Sequence, residues 1–200
     1  DLVAGQRYDI RMEYYEGTGH AVARLLWASA SQPLEDVPAS ALFPDSTAWT
    51  APVHQAGNRI QMEDFDHHGS LRSYSDTSMA NRGDLYRATH VDIQRSRDSG
   101  GGYNIGWVNA GEWLEYTLDV AQAGSFDLHM RIASEGGGGV FHIELDGQDI
   151  SGALTMQDTG GWQAWQTMKL EGVDLTGGRY ALRVVMDTAG DNGFVGNFNW

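Results

Sequence analysis

The chain has 200 residues, of which 41% are hydrophobic and 20% charged, so it has enough apolar side chains for a packed core and is not composed like a disordered segment. A formal net charge of −14 disfavours nucleic acids and anionic membranes as partners, because neither is attracted to an acidic protein. The lack of cysteine excludes disulfides, thiolate metal sites and a cysteine nucleophile. The charge suits a neutral or cationic ligand, and equally a generic acidic surface that keeps a secreted protein soluble.

The chain begins with a strand-like pattern, from which we expect a fragment of a longer protein. Residues 8–14 alternate between apolar and polar side chains, as in a half-buried strand, and residues 21–29 suggest a second strand after a Gly-rich turn. Two strands alone are marginally stable, so these would close a larger β-domain. All four prolines follow, and their clustering indicates a linker between domains: Pro33, Pro38, Pro44 and Pro52.

Residues 58–200 are typical of one all-β domain. Apolar side chains alternate in four segments about ten residues long, and Gly-rich turns separate them: 112–120, 125–133, 140–147 and 179–187. This pattern predicts a β-sandwich of the jelly-roll type, and no segment has a convincing helical pattern. The polar stretch from Ser70 to Arg97 is expected to be a long loop over one end of the sandwich, where loops are often functional.

No local group of residues has the pattern of an active site. Glu112 and Glu115 lie three apart on a predicted strand, so their side chains point to opposite faces and cannot flank one glycosidic bond. His67 and His68 are neighbours rather than a chelating pair. The glycine runs at 100–102 and 136–139 do not open helices, which argues against phosphate binding.

Two tryptophans have a setting that suits sugar binding. Trp107 follows glycine in "NIGW" and Trp162 follows two glycines in "TGGW", so an indole ring can stand clear of the backbone and stack on a sugar. The terminal "GNFNW" places amides, which hydrogen-bond hydroxyl groups, beside aromatic residues. Most tryptophans belong to cores, and Trp113 and Trp165 are expected to be packed.

Five segments in register resemble a family 6 carbohydrate-binding module. They are "RIQMEDFD", "GGGYNIGWVNAGEWLEYTLDV", "RIASEGGGGVFHIELDGQDISG", "TGGWQAWQT" and "NFNW", and together they cover residues 58–200. The resemblance implies a jelly-roll β-sandwich without catalytic activity, of the kind that accompanies catalytic domains in secreted polysaccharide-degrading enzymes.

The resemblance also implies a binding site in the loops at one end of the sandwich. Trp107 and Trp162 would sandwich a sugar, and Asn197 would hydrogen-bond to it. Trp107 replaces the Tyr that is common in the family, which enlarges the stacking surface but removes a hydroxyl. A sandwiched sugar favours the end of a polysaccharide chain.

A structural calcium ion is implied as well. Its ligands would be the side chains of Gln61, Glu63 and Asn199 together with backbone carbonyls of the Gly-rich loop, a hard-oxygen set that suits Ca²⁺. Asn199 replaces an acid found in some members, so the affinity is expected to be lower. The alternative is that Gln61 and Glu63 simply face solvent from a strand.

Three further residues are candidates for the rim of the sugar site. Tyr86 and Arg87 match a pair found in a subgroup of the family, although an ordinary surface loop explains them equally well. Tyr103 belongs either to the rim or to the core.

The N-terminal segment resembles the closing strands of a protective-antigen-type β-domain. The stretches that carry this resemblance are "LVAGQRYDIRMEYYE", "ARLLWAS" and "PASALFP". The expected organisation is therefore two or three strands of a truncated β-domain over residues 1–47, a linker over 48–57, and the binding module over 58–200.

The expected function is non-catalytic binding of chain ends of a neutral polysaccharide. Agarose or β-1,3-glucan is favoured and xylan is possible, and the module would target a catalytic domain of the same parent chain, a secreted bacterial glycoside hydrolase such as an agarase or glucanase. We expect a monomer without nucleic-acid or membrane partners. The alternatives are a glycoside hydrolase or lyase active in its own right, and a structural or adhesive sandwich without a sugar site.

Overall fold

The computed structural model of the chain describes residues 24–29, 32–37 and 52–200. The chain divides into two compact units, residues 1–45 and 46–200. The strand predicted over residues 8–14 and most of the proline-containing segment lie outside the described residues. Among the described residues, no helix has the length and apolar character needed to cross a membrane.

The described part of the first unit is an antiparallel pair of strands, β1 (Leu26–Ser29) and β2 (Gln32–Asp36). Arg24 forms an ion pair with Asp36, and the Trp27 indole N–H donates to Glu35 at 3.2 Å. The protective-antigen resemblance of residues 1–47 stays a prediction.

The second unit is a β-sandwich, which confirms the predicted all-β fold class. A 3₁₀ turn, Met62–Asp64, precedes β4 (Tyr74–Ser75). The strands of this unit are β3 (Val53–Gln55), β4 (Tyr74–Ser75), β5 (Ile93–Arg95), β6 (Tyr103–Ile105), β7 (Trp113–Val120), β8 (Gly124–Ala133), β9 (Val140–Leu145), β10 (Gln148–Asp149), β11 (Leu154–Thr155), β12 (Gln166–Leu175), β13 (Gly178–Thr188) and β14 (Asn197–Phe198).

The two sheets face each other across an apolar core. One sheet has the strand order β10-β9-β13-β7-β3, with β11 on β9 and β4 on β7, and the other has the order β12-β8-β14-β6-β5. Strand β7 shows why the sequence folds this way, because its even-numbered residues from Leu114 to Val120 are buried and its odd-numbered ones are not. Alternate side chains along the strands of both sheets point inward, and together they form the core.

The strands that sequence patterns missed are short or irregular. The segment from Ser70 to Arg97, predicted as a loop, contains β4 and β5, which are too short to show an alternation. Strand β3 pairs in parallel with β7, so part of the predicted linker over 48–57 is a strand of the sheet. Strand β12 was missed because a bulge between Leu170 and Val173 breaks its alternation.

Candidate functional site

A cleft of about 130 Å³ lies beside β5, β6 and β14. Residues far apart in the sequence line it: Gln94, Trp107, Trp162, Phe194 and Asn197. The structure therefore brings together Trp107, Trp162 and Asn197, and it adds two residues that sequence analysis did not select. Three aromatic rings and two side-chain amides form an uncharged cleft, whose chemistry suits polyhydroxylated neutral ligands.

A sharp turn after β6 directs Trp107 into the cleft. Gly106 is buried, and a Cβ at this position would lie 2.5 Å from Gln94 Nε2 and 3.3 Å from Asn197 Oδ1, so only glycine fits without displacement. Trp107 itself has a φ of +51°, a conformation that costs about 1–3 kcal/mol for a bulky residue and is concentrated at ligand sites. Asn109 holds the turn by donating from Nδ2 to the Trp107 carbonyl at 3.2 Å.

Trp162 lies in the loop between β11 and β12. Its ring meets the edge of Phe194, with centroids 5.9 Å apart and an interplanar angle of 87°. Asn197 Nδ2 donates to the Trp162 carbonyl at 2.6 Å. One wall of the cleft is thus fixed by an edge-to-face aromatic pair and by a hydrogen bond to the backbone.

Two amides supply the polar groups of the cleft. Asn197 uses one N–H on Trp162, which leaves its carbonyl oxygen beside Gly106 for a ligand. Gln94 is half-buried, and its side chain makes no hydrogen bond within the described part of the chain. An amide that is partly removed from water and not hydrogen-bonded is well suited to bind a hydroxyl group.

Phe194 could have been found from a local pattern, whereas Gln94 is placed by the pairing of two strands. Phe194 follows Gly193 in "NGFVG", the same Gly–aromatic arrangement that pointed to Trp107 and Trp162. Gln94 pairs with Asn104 across β5 and β6. Since Ile93 and Ile105 are buried, alternation places Gln94 and Asn104 on the opposite face of these strands.

The same alternation places Tyr103 away from the cleft, and Tyr86 and Arg87 do not line it either. Tyr103 shares the face of Ile105, and its ring lies 4.9 Å from that of Tyr86. The Tyr86 hydroxyl donates to Asp64, and burial together with this contact raises the pKa of Tyr86 to about 12. The rings of Tyr86 and Tyr103 therefore pair with each other and do not line the cleft.

Arg87, predicted at the rim, is turned towards the protein interior. Its guanidinium carbon lies 4.0 Å from the Phe65 ring centroid, and Nη2 bonds to the His67 ring. Burial lowers the pKa of Arg87. Because an aromatic face and a histidine already hold its guanidinium group, we expect Arg87 to stabilise the fold rather than to line the cleft.

A larger cavity of about 370 Å³ lies between the two sheets. Inward-facing core residues such as Tyr116, Leu128, Phe141 and Val184 form most of its walls. Its lining also includes the polar residues Asn58, Arg59, Asp127 and His129, but the smaller cleft combines three aromatic rings with two amides, so the smaller cleft has the better chemistry for a neutral sugar despite its size.

Glu63 has the properties of a metal ligand. Its side chain is about 5% exposed, and Oε2 has no hydrogen-bond partner. Burial raises the pKa of Glu63 to about 7, against the opposing effect of the backbone N–H groups of Glu63 and Tyr103. A buried carboxylate oxygen without a partner is costly, and a cation would remove that cost.

The other predicted calcium ligands lie near the same backbone junction. The Met62 N–H donates to the Asn199 carbonyl at 3.0 Å, so Gln61 and Glu63 flank the residue that pairs with Asn199. Asn199 is buried, and its Nδ2 donates to Asp98 at 2.9 Å. Within the described residues no three acids or histidines form a metal cluster, so any calcium here depends on one carboxylate plus amide and carbonyl oxygens. Ca²⁺ accepts such a mixed oxygen set.

The cleft does not contain the groups needed for glycoside hydrolysis. None of the five lining residues is an acid, whereas hydrolysis requires two carboxyl groups at the scissile bond. Glu112 accepts hydrogen bonds from Thr77 and Asn109, and Glu115 pairs with Arg183 at 2.7 Å. Both acids have structural partners, and no acidic side chain lines the cleft.

The sequence model described as "Carbohydrate binding module (family 6)" matches residues 83–200. The chain belongs to this family of non-catalytic carbohydrate-binding modules. A β-1,3-glucan-binding module of family 6 from Bacillus halodurans has a similar structure, with a TM-score of 0.54 and 27% sequence identity over 74% of this chain and 96% of that one.

Two curated proteins share parts of this sequence. The clotting factor G alpha subunit of Tachypleus tridentatus is 30% identical over 132 residues, which cover 65% of this chain and 19% of that protein. The beta-agarase AgaA of Microbulbifer thermotolerans is 30% identical over 69 residues, which cover 34% of this chain and 16% of that protein. The chain thus spans about a fifth or less of the curated relatives it matches.

Proposed function

We propose that the cleft binds the end of a neutral polysaccharide chain, with a sugar ring between Trp107 and Trp162. The observation that carries this proposal is the convergence of Trp107, Trp162 and Phe194 with the amides of Gln94 and Asn197 in one uncharged cleft. The indole rings would stack on the C–H face of the sugar, while the amides would bond to its hydroxyls. The strained backbone of Trp107 supports a ligand-binding role for this residue.

Among neutral polysaccharides, β-1,3-glucan and agarose are the leading candidates. The Bacillus halodurans module, which resembles this chain over most of its length, is described as binding β-1,3-glucan. A shorter stretch is similar to a beta-agarase. Xylan remains a third candidate, because an uncharged cleft of aromatic rings and amides does not discriminate against it.

The module would direct an attached catalytic domain to its substrate. When the module binds the polysaccharide, it holds the attached catalytic domain close to the same polymer. The effective concentration of the catalytic domain at its substrate is therefore raised. Because the polysaccharide is outside the cell, the parent protein would be secreted, and we expect it to be a bacterial glycoside hydrolase such as an agarase or glucanase. The module itself would act as a monomer.

We also propose that Glu63 binds a structural calcium ion with help from Gln61 and Asn199 and carbonyls of the Gly-rich loop. The buried, unpaired Oε2 of Glu63 supports this. Bound Ca²⁺ would neutralise the carboxylate and join the start of the module to β14. Its expected effect is on stability.

An affinity-gel screen tests the sugar proposal. The wild-type module is run through native gels containing laminarin (a β-1,3-glucan), agarose or xylan, and through a gel without polysaccharide. We expect retardation in laminarin or agarose, and no release of reducing sugar when either is incubated with the module. Absence of retardation in all three gels would overturn the proposed ligands, and release of reducing sugar would indicate an enzyme.

A further inference from the structure

We propose that Gln163 is a positioning residue whose side-chain amide holds Trp162 in its sugar-binding orientation. Gln163 follows Trp162 directly but does not line the cleft. The proposal rests on the proposed function of the cleft, and it assigns the task of fixing the aromatic wall to a residue that does not contact the ligand.

Gln163 fastens the Trp162 loop to a distant segment of the chain. Its Oε1 accepts the backbone N–H of Arg97 at 2.8 Å, and its Nε2 donates to Asn104 Oδ1 at 3.0 Å. The same Oε1 accepts the indole N–H of Trp165 at 3.3 Å. A single amide therefore joins its own loop to both sides of the connection between β5 and β6.

Asn104 is a rigid anchor for this contact. It is fully buried, and its Nδ2 donates to the Ile105 carbonyl at 3.0 Å, which fixes the direction of Oδ1. Oδ1 therefore requires a donor, whereas the Arg97 N–H requires an acceptor. Among side chains of this length only glutamine supplies both at neutral pH, since glutamate lacks the donor and methionine lacks both groups.

The Trp162 loop needs such an anchor because its own backbone is permissive. Gly160 and Gly161 precede Trp162 with φ values of +89° and +149°, and Trp162 lies outside any strand. Asn197 also holds the Trp162 carbonyl, but Asn197 is itself a proposed ligand contact. A ring fixed before binding loses less conformational entropy when the sugar arrives, so Gln163 would raise affinity without touching it.

Trp107 is held in a different way, which provides an internal control. Asn109 fixes its turn, and Glu112 accepts from Asn109 Nδ2 at 3.0 Å. The hydrogen-bond partners of the Gln163 side chain among the described residues are Arg97, Asn104 and Trp165, none of which belongs to this turn. Loss of the Gln163 amide is therefore expected to change the environment of Trp162 and leave that of Trp107 unaltered.

The test is Gln163→Met, which keeps the length of the side chain and removes its donor and acceptor. Fluorine NMR of protein labelled with 5-fluorotryptophan, assigned by Trp162→Phe and Trp107→Phe, reports on each ring. We expect a shifted or broadened Trp162 resonance, an unchanged Trp107 resonance, and about tenfold weaker binding in laminarin or agarose gels, as for the loss of one or two hydrogen bonds. The matched control is Gln55→Met, which removes a bond to Asp119 on β7, and it should leave both readouts unchanged.

Gln163→Glu gives a second test that does not depend on the stability of the methionine variant. Glutamate keeps the acceptor for Arg97 but cannot donate to Asn104 until it is protonated. Relative to wild type at each pH, we expect weak binding at pH 7 and recovery towards pH 4. Unchanged affinity and an unchanged Trp162 resonance in both Gln163 variants would overturn the proposal.

The two proposals fail in different ways. If Trp162→Ala abolishes gel retardation and the Gln163 variants bind like wild type, the cleft is the sugar site and Gln163 does not position it. If the wild-type protein is not retarded at all, the proposed ligands are wrong, and the Trp162 fluorine resonance still decides whether Gln163 orients this ring.

Discussion

Two aromatic regions of the module were candidates for the sugar site from the sequence, and their structures differ. In the cleft, the Gln94 amide and the Asn197 carbonyl oxygen have no hydrogen-bond partners within the described chain. In the region of Tyr86, Arg87 and Tyr103, the rings pair with each other, the Tyr86 hydroxyl bonds to Asp64 and Arg87 Nη2 bonds to His67, while the buried Arg87 Nη1 has no hydrogen-bond partner. The unused amides of the first region line an open cleft, whereas the unpartnered Arg87 Nη1 of the second region is buried, so we expect the first region to serve binding and the second to serve stability.

The largest effect should come from removing an indole ring of the cleft. Trp107→Ala or Trp162→Ala is expected to weaken polysaccharide binding by roughly 30- to 1000-fold, because a central aromatic anchor contributes about 2–4 kcal/mol. Affinity electrophoresis measures the change.

Trp113→Ala is the matched control. Its ring is half-buried on the outer face of β7, with the Arg183 guanidinium carbon 4.0 Å from the ring centroid. If Trp113→Ala weakens binding as much as the cleft variants do, the sugar site lies on the sheet face and the comparison between the two regions fails.

Calcium should increase the stability of the module by binding to Glu63. Saturating Ca²⁺ is expected to raise the melting temperature by about 5–10 °C, since ligand at about 100 times Kd stabilises by about 2.7 kcal/mol. Differential scanning calorimetry with and without a chelator measures the shift.

The calcium effect should depend on pH in a defined direction. The pKa of Glu63 in the metal-free protein is raised to about 7, so at pH 5 the carboxyl is mostly protonated and Ca²⁺ must displace a proton. Affinity should therefore be up to about 100-fold weaker at pH 5 than at pH 8. Glu63→Gln should abolish the response, whereas Glu115→Gln, at an acid paired with Arg183, should retain it. A melting temperature that is insensitive to Ca²⁺ at pH 8 would contradict the metal site.

Substitution of Arg87 should separate stability from binding. Arg87→Met removes the cation from the Phe65 ring and the bond to His67, and it is expected to lower the free energy of unfolding by about 1–3 kcal/mol. Urea unfolding measures this loss, and gel retardation should change less than twofold. Tyr86→Phe, which keeps the ring and removes the bond to Asp64, should be milder. A strong loss of retardation in a folded Arg87→Met protein would indicate that Arg87 belongs to the sugar site.

The smallest of these effects is expected at Gln94. Gln94→Leu removes the unpartnered amide from the cleft while it keeps a side chain of similar size, and binding should weaken about five- to tenfold. Thermal stability should be unchanged, because the amide makes no hydrogen bond to another residue that the structure describes. Isothermal titration with laminarin measures the change, and Gln148→Leu on β10 is the surface control.

The long strands other than β12, and with them the sandwich, were predictable because they show a clear period of two. β7, β8, β9 and β13 follow the expected alternation, as Leu114 and Tyr116 illustrate. β3 and β5 have only three residues each, and such strands are defined by their partners rather than by their own pattern. A sequence does not show which partner a short segment will find.

The site was predictable in part for a similar reason. A glycine before an aromatic residue is a local signal, and it led to Trp107 and Trp162. The position of Tyr103 could be assigned only from the register of β5 with β6, which places Tyr103 on the same face as Ile105. The inward turn of Arg87 onto Phe65 is a tertiary contact without any local signal.

The structure of the module with a laminarin oligosaccharide tests the central claim most directly. The account predicts a terminal sugar ring packed between Trp107 and Trp162, with its hydroxyls bonded to the Gln94 and Asn197 side chains. An oligosaccharide bound instead over Trp113 and Arg183 on the outer sheet face, with the cleft unoccupied, would contradict it.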